Sequence, residues 1–241
     1  MRCRIGARLV GCLIGLFSGI VIGSAVLAQA GGRFAMEANI GHSWASHWSP
    51  RDKPPGTQVV VGWQPGLMVS ASTTADLGRW LTAELGIVLT EKGAHHTVTT
   101  FSFPFGAMEL TYRFRYLEVP VLFKTYWLKV GPGRIFTYGG GYVAAAWAAR
   151  YTFYNEQKGG ASRTLTDVER GDVGFVSGFG CELPLGKIAL VVKYRYSMGF
   201  VDLTLDTDPV HIAEFHGVDF PVILLRNFSH AVMTGVRYRL R

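Results

Sequence analysis

Apolar and polar positions alternate along most of this chain with a period of two. Residues 188–200, IALVVKYRYSMGF, show it best. Ile188, Leu190, Val192, Tyr194, Tyr196, Met198 and Phe200 fall on one side, and Ala189, Val191, Lys193, Arg195, Ser197 and Gly199 on the other. Successive side chains of a strand point to opposite faces. Here one face is oily without a break, and the other is small or charged. That arrangement suits a barrel whose outside meets lipid and whose inside is polar. Eight segments of this kind can be placed along the sequence. They predict an all-β fold, an eight-stranded antiparallel up-and-down transmembrane β-barrel.

The predicted strands are 33–43, 59–72, 80–90, 108–126, 134–151, 172–183, 188–200 and 228–240. The second is irregular at Pro65-Gly66. In the fourth, Leu110, Tyr112 and Phe114 share one parity and Leu117, Val119, Val121 and Phe123 the other. If both sets face outward, an extra residue near Arg115-Tyr116 must form a bulge. Pro120 in the same strand lacks an N–H and marks a ladder irregularity. Gly139-Gly140-Gly141 makes room for bulky partners in a narrow barrel; no helix or Lys-Ser/Thr follows, as a phosphate loop would require. Connections after the odd strands are long (44–58, 91–107, 152–171 and 201–227) and those between are short. Outer-membrane barrels divide their loops this way, with short turns on the periplasmic side.

Residues 1–30 read as a signal peptide: Arg2, Arg4 and Arg8, an apolar run from Leu9 to Leu27, then Ala28-Gln29-Ala30 as the cleavage site. A retained single-span anchor is the competing reading. Residues 31–241 then form one barrel domain. Without the three leader arginines the formal charge falls from +7 to +4, too mild a balance to argue for nucleic acid. Cys181 is left as the only cysteine, which excludes an internal disulfide. No apolar run after the leader reaches the length of a membrane-spanning helix.

The stretches Glu84-Leu85-Gly86, Glu91-Lys92-Gly93, Tyr116-Leu117-Glu118-Val119-Pro120-Val121-Leu122, Gly139-Gly140-Gly141-Tyr142, Asp172-Val173-Gly174 and Gly235-Val236-Arg237-Tyr238-Arg239-Leu240 carry a resemblance. Together they resemble the PorT-like outer-membrane β-barrel proteins of the Bacteroidetes and their relatives. The resemblance covers essentially all of residues 33–241. It implies an eight-stranded barrel in a Gram-negative outer membrane, with lipid and lipopolysaccharide around it. A few relatives serve gliding or secretion machinery, and most have no defined activity. The last strand also resembles the insertion signal read by the barrel-assembly machinery, although it ends in Arg241 rather than an aromatic.

Candidate chemistry lies on the inward parity. Glu37, Glu84, Glu118 and Glu182 face Lys124, Lys193, Arg195, Arg237 and Arg239 across an interior that side chains fill in a barrel of this size. Such charges must pair, because an isolated buried ion costs several kcal/mol. A structural ion-pair plug, a gated narrow pore and proton-linked chemistry are the alternatives. A lipid A-modifying hydrolase needs a nucleophile within reach of a base. Ser229-His230 and His42-Ser43 are sequence neighbours and so face opposite sides. Asp202, Asp206, Asp208, His211, Glu214, His216 and Asp219 match no metal spacing, and no cofactor is implied. Apolar residues in that last long loop suggest a fold over the rim or a protein partner there. Six tryptophans mostly flank strands, as in an interfacial girdle. The reading is a non-catalytic outer-membrane barrel with a structural or binding role.

Overall fold

The computed structural model describes residues 33–48, 57–100, 108–155, 159–164, 171–201, 203–204 and 224–240. The expected leader and its cleavage site near Ala30 lie outside these residues, as does the acidic and histidine-rich stretch from Asp202 to Asp219, apart from 203–204. Among the described residues there are ten strands: β1 (Phe34–Trp48), β2 (Thr57–Asp76), β3 (Leu81–Thr100), β4 (Met108–Val130), β5 (Gly133–Asn155), β6 (Gly159–Thr164), β7 (Gly171–Leu185), β8 (Ile188–Gly199), β9 (Leu203–Thr204) and β10 (Leu224–Arg239). Every pairing is antiparallel. The wall runs β1-β2-β3-β4-β5-β7-β8-β10, and β10 pairs back on β1 to close it. Closure leaves no strand edge to lipid, where unpaired backbone groups could not be hydrated. The two short strands lengthen hairpins: β6 pairs with β5, and β9 with β10.

The sidedness of the wall follows the predicted parity. On β8, Ala189, Val191, Lys193, Arg195, Ser197 and Gly199 are buried, while Ile188, Leu190 and Val192 are exposed, as is Phe200 just beyond its end. Short turns follow β2, β4 and β7, and Gly131 (φ 58°) and Gly186 (φ 70°) supply the left-handed residues for two of them. These turns share one end of the barrel with the start of β1 and the end of β10. The long connections share the other.

Several boundaries differ from the sequence reading. Residues 91–100, 44–48, 152–155 and 224–227 are strand rather than loop, so the wall extends further at the long-connection end. The fourth-strand expectation is wrong about facing. Leu110, Tyr112, Phe114, Tyr116, Glu118, Leu122, Lys124 and Tyr126 all point inward, without a change of parity. The register does shift at Arg115/Tyr116, but the extra residue is Trp147 on β5. A second shift on this pair makes Trp127 the extra residue on β4. A bulge re-aims a side chain, and both tryptophans are exposed. The β2–β3 register slips between Trp63 and Met68, around Pro65-Gly66. The β3–β4 ladder skips Gly86 and Ile87, opposite Val119 and Pro120, where proline has no N–H to give.

The interior packs large against small. Phe136, Tyr138 and Tyr142 on β5 lie opposite Gly180, Gly178 and Gly174 on β7. A Cβ at Gly180 or Gly178 would stand 2.6 Å from the ring of Phe136 or Tyr138. These aromatics, with Leu122, Tyr126, Val176 and Val191, form one apolar wall of the lumen. Met68, Val88, Ala231 and Met233 form the other.

Candidate functional site: the charged interior

Between the two apolar walls the lumen is filled by charge. Among the described residues ten carboxylate, ammonium and guanidinium side chains are enclosed: Glu37, Glu84, Glu118, Asp172 and Glu182, against Lys92, Lys124, Lys193, Arg195 and Arg237. They stack in three tiers from the short-turn end upward.

The lowest tier centres on Glu182. Its carboxylate accepts from Arg134 Nη2 at 2.8 Å, Arg237 Nη1 at 2.9 Å, Arg239 Nη2 at 3.2 Å and the Tyr126 hydroxyl at 2.9 Å. Arg237 also donates to Thr74 Oγ1 at 3.0 Å and touches the Tyr126 hydroxyl. The Arg134 guanidinium lies 4.3 Å from the Tyr126 ring centre. Arg239 reaches this tier from the rim, with its side chain half exposed.

The middle tier is a square of two carboxylates and two ammoniums. Glu37 contacts Lys193 at 2.7 Å and Lys124 at 3.0 Å; Glu84 contacts Lys124 at 2.8 Å and Lys193 at 3.6 Å. Asn39 Nδ2 donates to Glu37 at 3.1 Å. In the upper tier Glu118 bridges Lys92 and Arg195, each at 2.6 Å. Lys92 lies under the rings of Tyr142 and Tyr116 and donates to the Tyr142 hydroxyl at 3.3 Å. That hydroxyl donates to Asp172 Oδ2 at 2.9 Å, and Asn227 Nδ2 donates to the Tyr116 hydroxyl at 2.9 Å.

All nine inward residues named from sequence therefore meet in this network. Lys92, Asp172, Arg134, Tyr126 and Tyr142 were missed. Lys92 shares the inward parity of Glu84 but lies beyond Thr90, where the predicted third strand ends. The tyrosines escape the pattern because an aromatic in an alternating segment reads as lipid-facing.

Neither Ser–His neighbour pair singled out in the sequence is brought together. Ser229 is inside, 2.7 Å from Ser197, and His230 is outside against Tyr194; Ser43 is inside and His42 outside. His95 Nδ1 meets Thr111 Oγ1 at 2.8 Å on the outer wall, but among the described residues no acid holds the other imidazole nitrogen. His47 and His96 are buried with ring centres 6.3 Å apart, the Tyr112 ring lies against His96, and neither His47 nitrogen nor His96 Nε2 has a hydrogen-bond partner among the described residues. Among the described residues no three His, Cys, Asp or Glu side chains gather as a metal site.

The profile of the family described as "Outer membrane protein beta-barrel domain" matches residues 27–205. The chain belongs to that family. This places the barrel in the bacterial outer membrane. The match ends before β10, the strand that closes the wall on β1. Among solved structures, Neisserial surface protein A (NspA) is similar at 14% identity over 86% of this chain and 97% of that one, with a TM-score of 0.45. OprG from Pseudomonas aeruginosa is similar at 12% identity over 87% and 96%, with a TM-score of 0.46. Ail, the attachment invasion locus protein of Yersinia pestis, is similar at 9% identity over 85% and 98%, with a TM-score of 0.35. No curated protein matches the chain.

Proposed function

We propose that this protein is an occluded, non-catalytic outer-membrane barrel whose role is structural or binding. Its long connections face the cell exterior and its termini face the periplasm. The three stacked tiers of ion pairs carry this reading. The middle and upper tiers cross the lumen between β8 and the β3–β4 side, each with its acids and bases in equal number, and the lowest closes the short-turn end around Glu182. An ion would have to break charge-assisted bonds of 2.6–3.0 Å at three successive levels. The PorT-like kinship belongs to the same reading. Glu84, Glu118, Tyr142 and Arg237 all lie in the stretches that carry the resemblance, and all four build the tiers.

The test is electrical and chemical. The purified protein, inserted into planar bilayers, is expected to give no unitary current steps, and its overexpression is expected to leave lipid A unchanged. Steps whose size changes in Arg195→Ala or Arg237→Ala would establish a pore instead. Altered lipid A that depends on His230 or His42 would establish a hydrolase.

A further inference from the structure

On β4 the outward residues Leu117, Val119, Val121 and Phe123 are apolar, and Trp127 bulges out near the short turn. Trp147 bulges out on β5 opposite Arg115 and Tyr116. The two tryptophans are about 11 strand residues apart. At 3.3 Å per residue and a tilt near 40°, that is about 28 Å of height, close to the usual apolar band of such barrels. Tryptophan favours the level of the headgroups, so Trp147 marks the upper edge of the lipid.

Immediately above Trp147 the outer wall turns basic. Arg113, Arg115 and Arg150 all point outward and are exposed. Arg113 and Arg150 are direct cross-strand partners. Like charges directly opposite each other, with Cβ atoms about 5 Å apart, destabilise a sheet unless an anion lies between them. Among the described residues neither has an acidic partner. Arg115 pairs with Glu91 at 2.9 Å, and that pair is exposed. Glu109, the acid facing outward on β4, lies two outward positions beyond Arg113. The patch therefore keeps a net positive charge at the height where a lipid carries its phosphate.

We propose that Arg113, Arg115 and Arg150 bind the phosphate groups of outer-leaflet lipopolysaccharide from the side of the barrel. One phosphate set between Arg113 and Arg150 accepts from both guanidiniums, the planar donors best matched to its oxygens, and Arg115 takes a neighbouring oxygen. The position at the band edge, rather than on a loop tip, selects a lipid over a soluble polyanion. The proposal rests on the reading that the long connections face outward.

The test uses the full protein purified in neutral detergent and titrated with diphosphorylated lipid A, followed by tryptophan fluorescence. Tight binding is expected, roughly thirtyfold weaker after enzymatic removal of the phosphates or in Arg113→Gln/Arg150→Gln, from the usual strength of two basic residues against an anionic leaflet. Inorganic phosphate and a sulfated heparin fragment are expected not to compete. Unchanged affinity in the double variant overturns the site. Equal competition by the heparin fragment reassigns it to soluble polyanions and overturns the lipid. Orientation is read separately, with Tyr154→Cys in a Cys181→Ser background and an impermeant maleimide on intact cells. Labelling only after cell disruption overturns the outward reading, and with it the outer-leaflet ligand, whatever the detergent titration shows.

Discussion

Neutralising Glu37 tests whether the interior charges act as one balanced set. Glu37 accepts from Lys193 at Oε1 and from Lys124 at Oε2, and both ammoniums also face Glu84; no side chain of the four is more than 6% exposed. Glu37→Gln keeps the shape but leaves two ammoniums against one carboxylate, with an amide N–H₂ turned toward one of them. Removing one member of a buried pair costs about 3–5 kcal/mol. Glu84 remains to share its charge, so the lower end, about 3 kcal/mol, is expected. Lys193→Met is expected to cost a similar amount, because it strands a carboxylate. The double variant Glu37→Gln/Lys193→Met leaves Lys124 and Glu84 paired at 2.8 Å and the tier neutral. It should be no less stable than either single variant, recovering about 3 kcal/mol of the summed loss, the upper range for coupled neighbours. Urea unfolding of the barrel in thin-chain vesicles, followed by the mobility difference between folded and heated protein on gels, measures all four members of the cycle. Simple additivity, with the double variant down by about 6 kcal/mol, would refute the argument that charge balance holds this tier.

Two further substitutions probe the wall and the packing. Val121→Arg puts a charge at mid-band on the lipid face and should cost about 2–4 kcal/mol, while Val130→Arg by the short turn should cost about 0–1; equal costs in the same urea assay would contradict the assigned band. Gly180→Ala brings a Cβ within 2.6 Å of the Phe136 ring and 2.5 Å of the Val192 carbonyl oxygen. It should cost about 1–3 kcal/mol by overpacking. Adding Phe136→Leu should restore part of that loss, since it relieves the ring clash and not the backbone one; no rescue would show that the ring plays no part.

The sequence makes the barrel legible wherever one parity is uniformly oily, as on β8 and β10, because lipid outside and charge inside impose opposite demands on alternate residues. The same rule misreads β4. Leu110, Tyr112 and Phe114 look like lipid-facing residues, yet they point inward, and their outward neighbours are Glu109, Thr111, Arg113 and Arg115. Beyond the lipid edge the outside is wet, so the apolar parity marks the inside, as in a soluble sheet. The reversal of pattern within one strand therefore signals the end of the membrane, and the bulge inferred to repair it is not needed on β4. Irregularity was legible by chemistry at Pro65 and Pro120. Trp127 and Trp147 as the extra residues were not, since nothing local distinguishes a bulged tryptophan from a paired one.

Charge bookkeeping links the interior to the outer wall. The ten enclosed groups cancel, five against five, so the +4 carried by residues 31–241 resides entirely on other residues. Arg134 and Arg239 bring some of it to Glu182 at the short-turn end of the lumen, while the middle and upper tiers are balanced and have no use for it. Part of it is placed where Arg113 and Arg150 face each other across β4 and β5, on the edge of the lipid band, in a geometry that favours an anion over solvent. The filled interior thus leaves the outer wall and the long connections as the surfaces on which this protein can act, and the first of these meets the membrane itself.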